Sequence, residues 1–231
     1  AFCGVFGIKG TFGRVPAYPY ATLQMMSHSG PMTRTVTDGA LMYNVMTLPD
    51  PRDWLATPYD GRDYMVGLDQ GVRGLRIAYS RTLGYAKVDR EVIQAVDKAV
   101  KVFEDLGAIV EEKDPGFKNP VETFLDYYRS SMTATLDKLG PEARDRLDPG
   151  FVRFAEEGRR VTAQDLHAAW DVRHNLGRHM NLFHQKYDIL ITPQNSLVAF
   201  DAGLEFPKGR GMTSWFDWSP FCFPFNFTQQ P

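Results

Sequence analysis

The 231-residue sequence contains only two cysteines, Cys3 and Cys222. That is too few for a disulfide framework, or for a four-ligand zinc site made from cysteine alone. No apolar run approaches the roughly 20 residues that a membrane-crossing helix requires. Charge of either sign is not in excess: 26 Lys and Arg stand against 28 Asp and Glu, a formal charge of −2 with a pI of about 6.2. Neutralising phosphates needs a clustered surplus of Lys and Arg, so this balance argues against a nucleic-acid-binding surface. There is no internal repeat, no low-complexity tract and no linker long enough to separate two independent domains. With 43% hydrophobic and 23% charged residues, the chain has the balance of a folded globular protein rather than a disordered one. These features read as a soluble, cytoplasmic protein with no membrane partner.

Both ends are apolar, AFCGVFGIKG at the start and FCFPFNFTQQP at the finish. Termini are usually polar and loosely held, so the expectation is a piece of a larger core, with apolar surface exposed around residues 1–8 and 220–231. Residues 1–33 are dense in Gly and Pro and predict loops with short strands. Thr35 with Asp38 three residues on resembles a capping box, and predicts a helix to about Met46 carrying Val36, Ala40, Leu41 and Val45 on one face. Leu75–Tyr79 reads as a strand. Asp89 can cap the helix that follows, which ends at Gly107, and Ala108–Glu112 alternates as a second strand. Strand, helix, strand in this order is a βαβ crossover. Helices are predicted over 120–139 and 162–186, the second opened by Thr162 and Asp165, with the Gly- and Pro-punctuated stretch Gly140–Gly150 between them. Asp188–Thr192 reads as a buried strand, followed by irregular chain to Gly211. The fold class is α/β.

Four of the five histidines, His167, His174, His179 and His184, fall in one predicted helix. Chelation from one helix needs three- or four-residue spacing; the gaps here are seven, five and five. They read as solvent-facing or hydrogen-bonded, and no metal is called for. Gly4 and Gly7 do not make a phosphate loop, and no dinucleotide fingerprint joins a strand to a helix, so no cofactor is called for either. Ser27, His28 and Ser29 set hydroxyls beside a base, but adjacent residues seldom point at each other, and the triplet reads as structural. Cys3 reads as a small buried thiol. Residue chemistry alone does not assemble a catalytic constellation, and no catalytic residue is assigned.

The segments AFCGVFGIKGTFGRVP and SHSGPMTRTVTDGALM carry Cys3, Gly4, Gly7, Lys9, Thr11, Gly13, Arg14 and Val15, then Gly30, Pro31, Met32, Arg34, Val36, Asp38 and Ala40. In that order and spacing they closely resemble the amidase signature family of serine amidohydrolases. YDILITP is similar to the family's Y-D-V-L-L-T-P strand, and FPFNFTQQP to its P-F-N-x-T-G-x-P segment. The chain departs at Gly10, where proline is usual and a looser turn is expected, and at Gln229, where glycine is usual.

The resemblance implies a mixed β-sheet sandwiched between helices, with residues 1–231 forming a portion of a single amidase signature domain that is incomplete at both ends. It implies hydrolysis of a small carboxylic amide as the parent activity, by a serine activated through a second, cis-peptide serine and a lysine. All three would precede Ala1, so the chain alone is expected to be inactive. Lys9 belongs to the family's K-P-T stretch and reads as an ion-pairing or surface lysine. Arg173, 15 residues before Asp188, matches a helix arginine that holds a substrate carboxylate in the glutamine-using A-type chains of amidotransferases. Ser219 stands where those chains carry an aspartate for the substrate ammonium. The substrate-side candidates are therefore Arg173, Trp218, Ser219 and Phe221, within an aromatic stretch that also includes Trp215 and Phe223. The expected partners are a small-molecule amide, and either a second copy of the chain or a complementing N-terminal portion. The other reading is an A-subunit-like or non-catalytic partner in a tRNA-dependent amidotransferase.

Overall fold

The computed structural model describes residues 2–21 and 23–231, and every side chain among them except that of Gln24. Two short strands, β1 (Phe6–Gly7) and β2 (Met32–Thr33), pair antiparallel and lead into helix α1 (Val36–Met46). The Thr35 side chain accepts from the Asp38 amide at 3.1 Å, so the Thr35 half of the expected capping box forms, while among the described residues no return bond from the Asp38 carboxylate completes it. The predicted face does not. Gly39, Ala40 and Tyr43 are the buried residues of α1, whereas Val36, Leu41 and Val45 are more than half exposed. Apolar residues lie all round this helix, and periodicity cannot choose between faces when both are apolar.

Strands β3 (Arg76–Tyr79), β4 (Ile109–Glu112) and β5 (Ile189–Ile191) form a parallel sheet in the order β4-β3-β5. Helix α2 (Arg90–Asp105) links β3 to β4 as the crossover, ending before Gly107 at φ 92°. Parallel neighbours need such a connection. Central strand β3 buries Ile77, Ala78 and Tyr79, while edge strand β5 leaves Ile189 37% exposed, so it is less buried than expected. Arg76 grips Asp188 with a backbone and a guanidinium bond at 2.8 and 2.7 Å, fixing the start of β5 against β3. Asp89 precedes α2 but makes no side-chain cap; its carboxylate instead takes both contacts of Arg210 at 2.7 Å.

A helical layer follows: α3 (Val121–Leu139), α4 (Pro141–Arg144), α5 (Pro149–Glu157), α6 (Ala163–Phe183) and α7 (Phe223–Phe227). The capping box at Thr162 and Asp165 is complete. Helix α5 has no counterpart among the predicted helices, although Asp148 followed by Pro149 is a cap-plus-first-turn signal: the Asp148 carboxylate accepts from the Phe151 amide at 3.0 Å. The main core joins α3, α6 and the last residues of the chain through Phe124, Leu125, Leu176, Met180, Phe216, Phe223 and Phe227. The expectation of apolar exposure at 220–231 is thus corrected, because Phe221, Phe223, Pro224 and Phe227 are core residues. Phenylalanine is abundant there because the segment closes the core.

Gly10 has a packing role that its neighbours in sequence do not reveal: a Cβ there would lie 1.8 Å from the Tyr43 hydroxyl, so its lack of a side chain admits that ring. Gly10→Ala is expected to cost about 1–3 kcal/mol in urea unfolding by overpacking, and much less in a Tyr43→Phe background. Equal costs in both backgrounds would contradict the contact.

Candidate functional site

The four substrate-side candidates meet two different environments. Arg173 projects from α6 and is only 7% exposed. Its Nε donates to the Phe227 carbonyl at 2.7 Å and its Nη2 to the Met25 carbonyl at 3.4 Å, with the guanidinium 4.7 Å over the Trp170 ring. Phe227 ends α7, so a cation sits where the helix leaves carbonyls unpaired and its dipole is negative. Burial acts against the charge of Arg173, and among the described residues no carboxylate pairs with it.

The same seam holds Lys9, which corrects its reading as a surface or ion-paired lysine. Its ammonium donates to the Gln230 carbonyl, and burial lowers its pKa to about 8. Phe12 donates its amide to the Gln229 carbonyl at 3.2 Å, and Gln229 Nε2 donates to Met25 at 3.2 Å. Gln229 itself sits at φ 65°, a left-handed conformation that explains why glycine suits this position. His28 lies at the edge of the seam. Its Nδ1 faces the Met26 carbonyl at 3.1 Å, and its pKa falls to about 4 through burial and the nearby charges of Lys9 and Arg173. Its Nε2 is buried without a partner among the described residues. The imidazole is therefore neutral and a feeble base, in keeping with a structural triplet.

Trp218, Ser219 and Phe221 belong to the aromatic segment that precedes α7. The Trp218 indole donates to the Glu205 carbonyl at 3.0 Å, and its own carbonyl accepts from the amide and hydroxyl of Ser196 at 3.1 and 3.0 Å. Its ring stacks on Phe2 at 5.1 Å and meets Phe200 edge-on at 5.8 Å. Ser219 is 3% exposed, its hydroxyl turned to the Trp215 carbonyl at 3.5 Å, and Phe221 is 4% exposed. Asp217, two residues away, has its carboxylate occupied by the amides of Thr213 and Ser214 at 2.7 and 3.1 Å. Trp218, Phe2 and Phe200 thus form an aromatic shelf, and the buried Ser219 hydroxyl follows Trp218 in the chain. Nothing local in the sequence marks Phe2 and Phe200 as partners of Trp218.

Cavities lie beside these residues rather than among them. One of about 410 Å³ is lined by Phe12, Met25, His28 and Trp54, and another of about 700 Å³ by Tyr85, Lys87, Arg210 and Phe223. A third, of about 590 Å³, includes Trp215 and Glu205. None includes Arg173, Trp218, Ser219 or Phe221. Of the other candidates, Cys3 is exposed, which corrects its reading as a buried thiol. Burial instead raises the pKa of Cys222. His167 and His174 are exposed, while His179 and His184 bond the carbonyls of Pro115 and Tyr187 at 2.6 and 3.0 Å. No helix among the described residues is long and apolar enough to cross a membrane.

A family profile described as Amidase matches residues 1–231. An acylamidase of Rhodococcus erythropolis is 31% identical over all of this chain and half of its own length. The A chain of the glutamyl-tRNA(Gln) amidotransferase of Ligilactobacillus salivarius is 31% identical, over 89% of this chain and 47% of its own. The crystal structure of a bacterial aryl acylamidase of the amidase signature enzymes superposes with a TM-score of 0.84 at 25% identity, covering 99% of this chain and 51% of its own. A 6-aminohexanoate cyclic dimer hydrolase shares the fold at a TM-score of 0.84 and 21% identity. The chain thus spans about half the length of the relatives it matches.

The seam makes two predictions. Arg173→Met should lower stability by about 2 kcal/mol or more, because two buried carbonyls lose a charged donor, and Arg173→Lys should restore only part of it. An unchanged denaturation midpoint would contradict the staple. For Lys9 the folded pKa lies below the unfolded value, so the unfolded chain binds the proton first as pH falls. Its cost is absent above about pH 10.5 and fully present below about pH 8. The stability of Lys9→Met relative to wild type should therefore fall by about 1 kcal/mol between pH 8 and 10, a figure reduced for partial solvent screening. A constant difference across that range would contradict a half-buried amine.

Proposed function

The chain belongs to the amidase family, and on that footing we propose that it supplies the substrate side of an enzyme hydrolysing a small, weakly polar carboxylic amide. The observation that carries the reading is Ser219: a buried hydroxyl, with the nearest acid in sequence, Asp217, already spent on backbone amides. A substrate ammonium needs a carboxylate, and a neutral hydroxyl next to an aromatic residue does not supply one. Trp218, Phe2 and Phe200 suit an aromatic or acyl group by area and quadrupole. Phe221, three residues on and 4% exposed, anchors the segment in the interior, and Arg173 acts by positioning the Phe227–Gln230 loop.

Hydrolysis needs an activated nucleophile and donors for the oxyanion. The G-G-S turn that supplies both in the resemblance does not occur in these 231 residues. In this reading the chain positions substrate and does not by itself turn it over. The amidotransferase relatives support a second reading, in which the chain is A-subunit-like and glutamine is the amide. Ser219 is the residue that favours the first reading over this one.

Ligand preference tests the choice. Acetanilide should quench the tryptophan fluorescence of the purified chain in a saturable way while L-glutamine does not, and Ser219→Asp should weaken acetanilide binding about tenfold by burying a charge next to Trp218. Saturable glutamine binding by the wild-type chain would favour the amidotransferase reading.

A further inference from the structure

Among the described residues, no lysine or arginine lines the cavity of about 410 Å³, whereas Lys87 and Arg210 line the second and Arg153 the third. Phe12, Tyr20 and Trp54 place three aromatic rings around it. Trp54 is 86% and Tyr20 70% exposed. Large rings left in water beside a hollow bury area when a planar apolar molecule enters it. The walls are tied by hydrogen bonds. Asp53 accepts from the Ala17 amide at 2.8 Å and the Leu55 amide at 2.9 Å, joining the loop before Tyr20 to the turn that carries Trp54. The Thr57 amide donates to the Gly13 carbonyl at 2.9 Å, and Gly13, at φ 77°, leaves no room for a Cβ, which would lie 2.8 Å from the Leu55 carbonyl oxygen. A cavity formed in advance binds without the cost of ordering its loops.

The polar groups of the lining select the ligand. His28 is neutral, since burial and the charges of Lys9 and Arg173 hold its pKa down to about 4. Its Nδ1 meets the Met26 carbonyl at 3.1 Å. A carbonyl only accepts, so Nδ1 carries the proton and Nε2 keeps its lone pair. That Nε2 is buried, and among the described residues nothing donates to it. A feeble base still accepts a hydrogen bond, and an orphaned buried acceptor calls for a donor. Charge on the ligand is opposed from both sides. The positive field of Lys9 and Arg173 that acts on His28 disfavours a cation, and the Asp53 carboxylate in the lining disfavours an anion. We propose that this cavity binds a small uncharged aromatic molecule bearing an N–H or O–H donor, as an arylamine or a phenol does, with its ring among Phe12, Tyr20 and Trp54 and its donor on His28 Nε2. Trp218, Ser219, Phe221 and Arg173 take no part in this lining, so the inference stands or falls apart from the substrate reading.

Fluorine NMR of the purified chain with para-fluoroaniline, which is uncharged near neutral pH, tests it. Saturable line broadening is expected. The same ring without a donor, para-fluorotoluene, should bind about fivefold more weakly for want of the hydrogen bond. The charged para-fluorobenzoate and para-fluorobenzylamine should bind more weakly still. Trp54→Ala should weaken para-fluoroaniline about tenfold; the side chain is exposed, so the fold is not at risk. His28→Phe should erase the preference over para-fluorotoluene, and Trp218→Phe should leave binding unchanged. Absence of saturable binding would overturn the proposal. So would equal affinity of the wild-type chain for para-fluoroaniline and para-fluorotoluene, or binding that survives Trp54→Ala and is lost in Trp218→Phe.

Discussion

A buried guanidinium that pairs with no carboxylate among the described residues ties together distant parts of this structure. Arg173 reaches from the middle of α6 to the last carbonyl of α7 and to the Met25 carbonyl, so one side chain joins the long helix, the end of the chain and the loop that follows β1. Lys9 and Gln229 add bonds along the same seam, to Gln230 and Met25. Carbonyls left over at a helix end are natural partners for a cation. They allow Arg173 and Lys9 to be drawn inside without carboxylates, and burial then acts on both in the same direction, lowering the affinity of each for its proton. The cluster also keeps His28 neutral, since charges of the same sign face it.

Because the seam fixes α7, it also fixes the aromatic segment that precedes it. Phe223 and Phe227 enter the core against Phe124 at 5.2 and 6.0 Å, and Trp218 is pinned by bonds at both its indole and its carbonyl. The shelf of Trp218, Phe2 and Phe200 is therefore rigid on the side that belongs to this chain. Its position is set by contacts more than 200 residues apart in sequence, from Phe2 to Trp218. Rigidity of this kind is what a substrate-side surface contributes to acyl transfer, since orientation lowers the barrier only when the positioning groups are themselves held.

Local chemistry was legible in the sequence and long-range chemistry was not. Thr35, Thr162 and Gly107 mark helix ends by bonds and dihedrals that involve only neighbouring residues, and each helix end lies where they put it, with the capping box complete at Thr162 and half-formed at Thr35. The β3–α2–β4 unit was legible for the same reason, as its apolar periodicity switches cleanly from strand to helix. Asp89 shows the limit: a capping residue type was taken by Arg210, 121 residues away. The faces of α1 were unreadable because apolar residues surround it. Lys9 looked like a surface residue because nothing near it in sequence reveals that Gln230 will be its partner. The family motifs located Arg173 and Ser219, yet the carbonyls that Arg173 binds and the aromatic rings around Trp218 are assembled only by the fold.

The central claim is that this chain orients an amide without carrying the nucleophile that cleaves it. The most direct measurement is reaction of the purified 26.2 kDa chain with a fluorophosphonate probe for activated serines, read by intact mass, alongside hydrolysis of acetanilide by the same sample. The account predicts an unmodified mass and no hydrolysis above background. A stoichiometric adduct on the chain, accompanied by turnover, would contradict it.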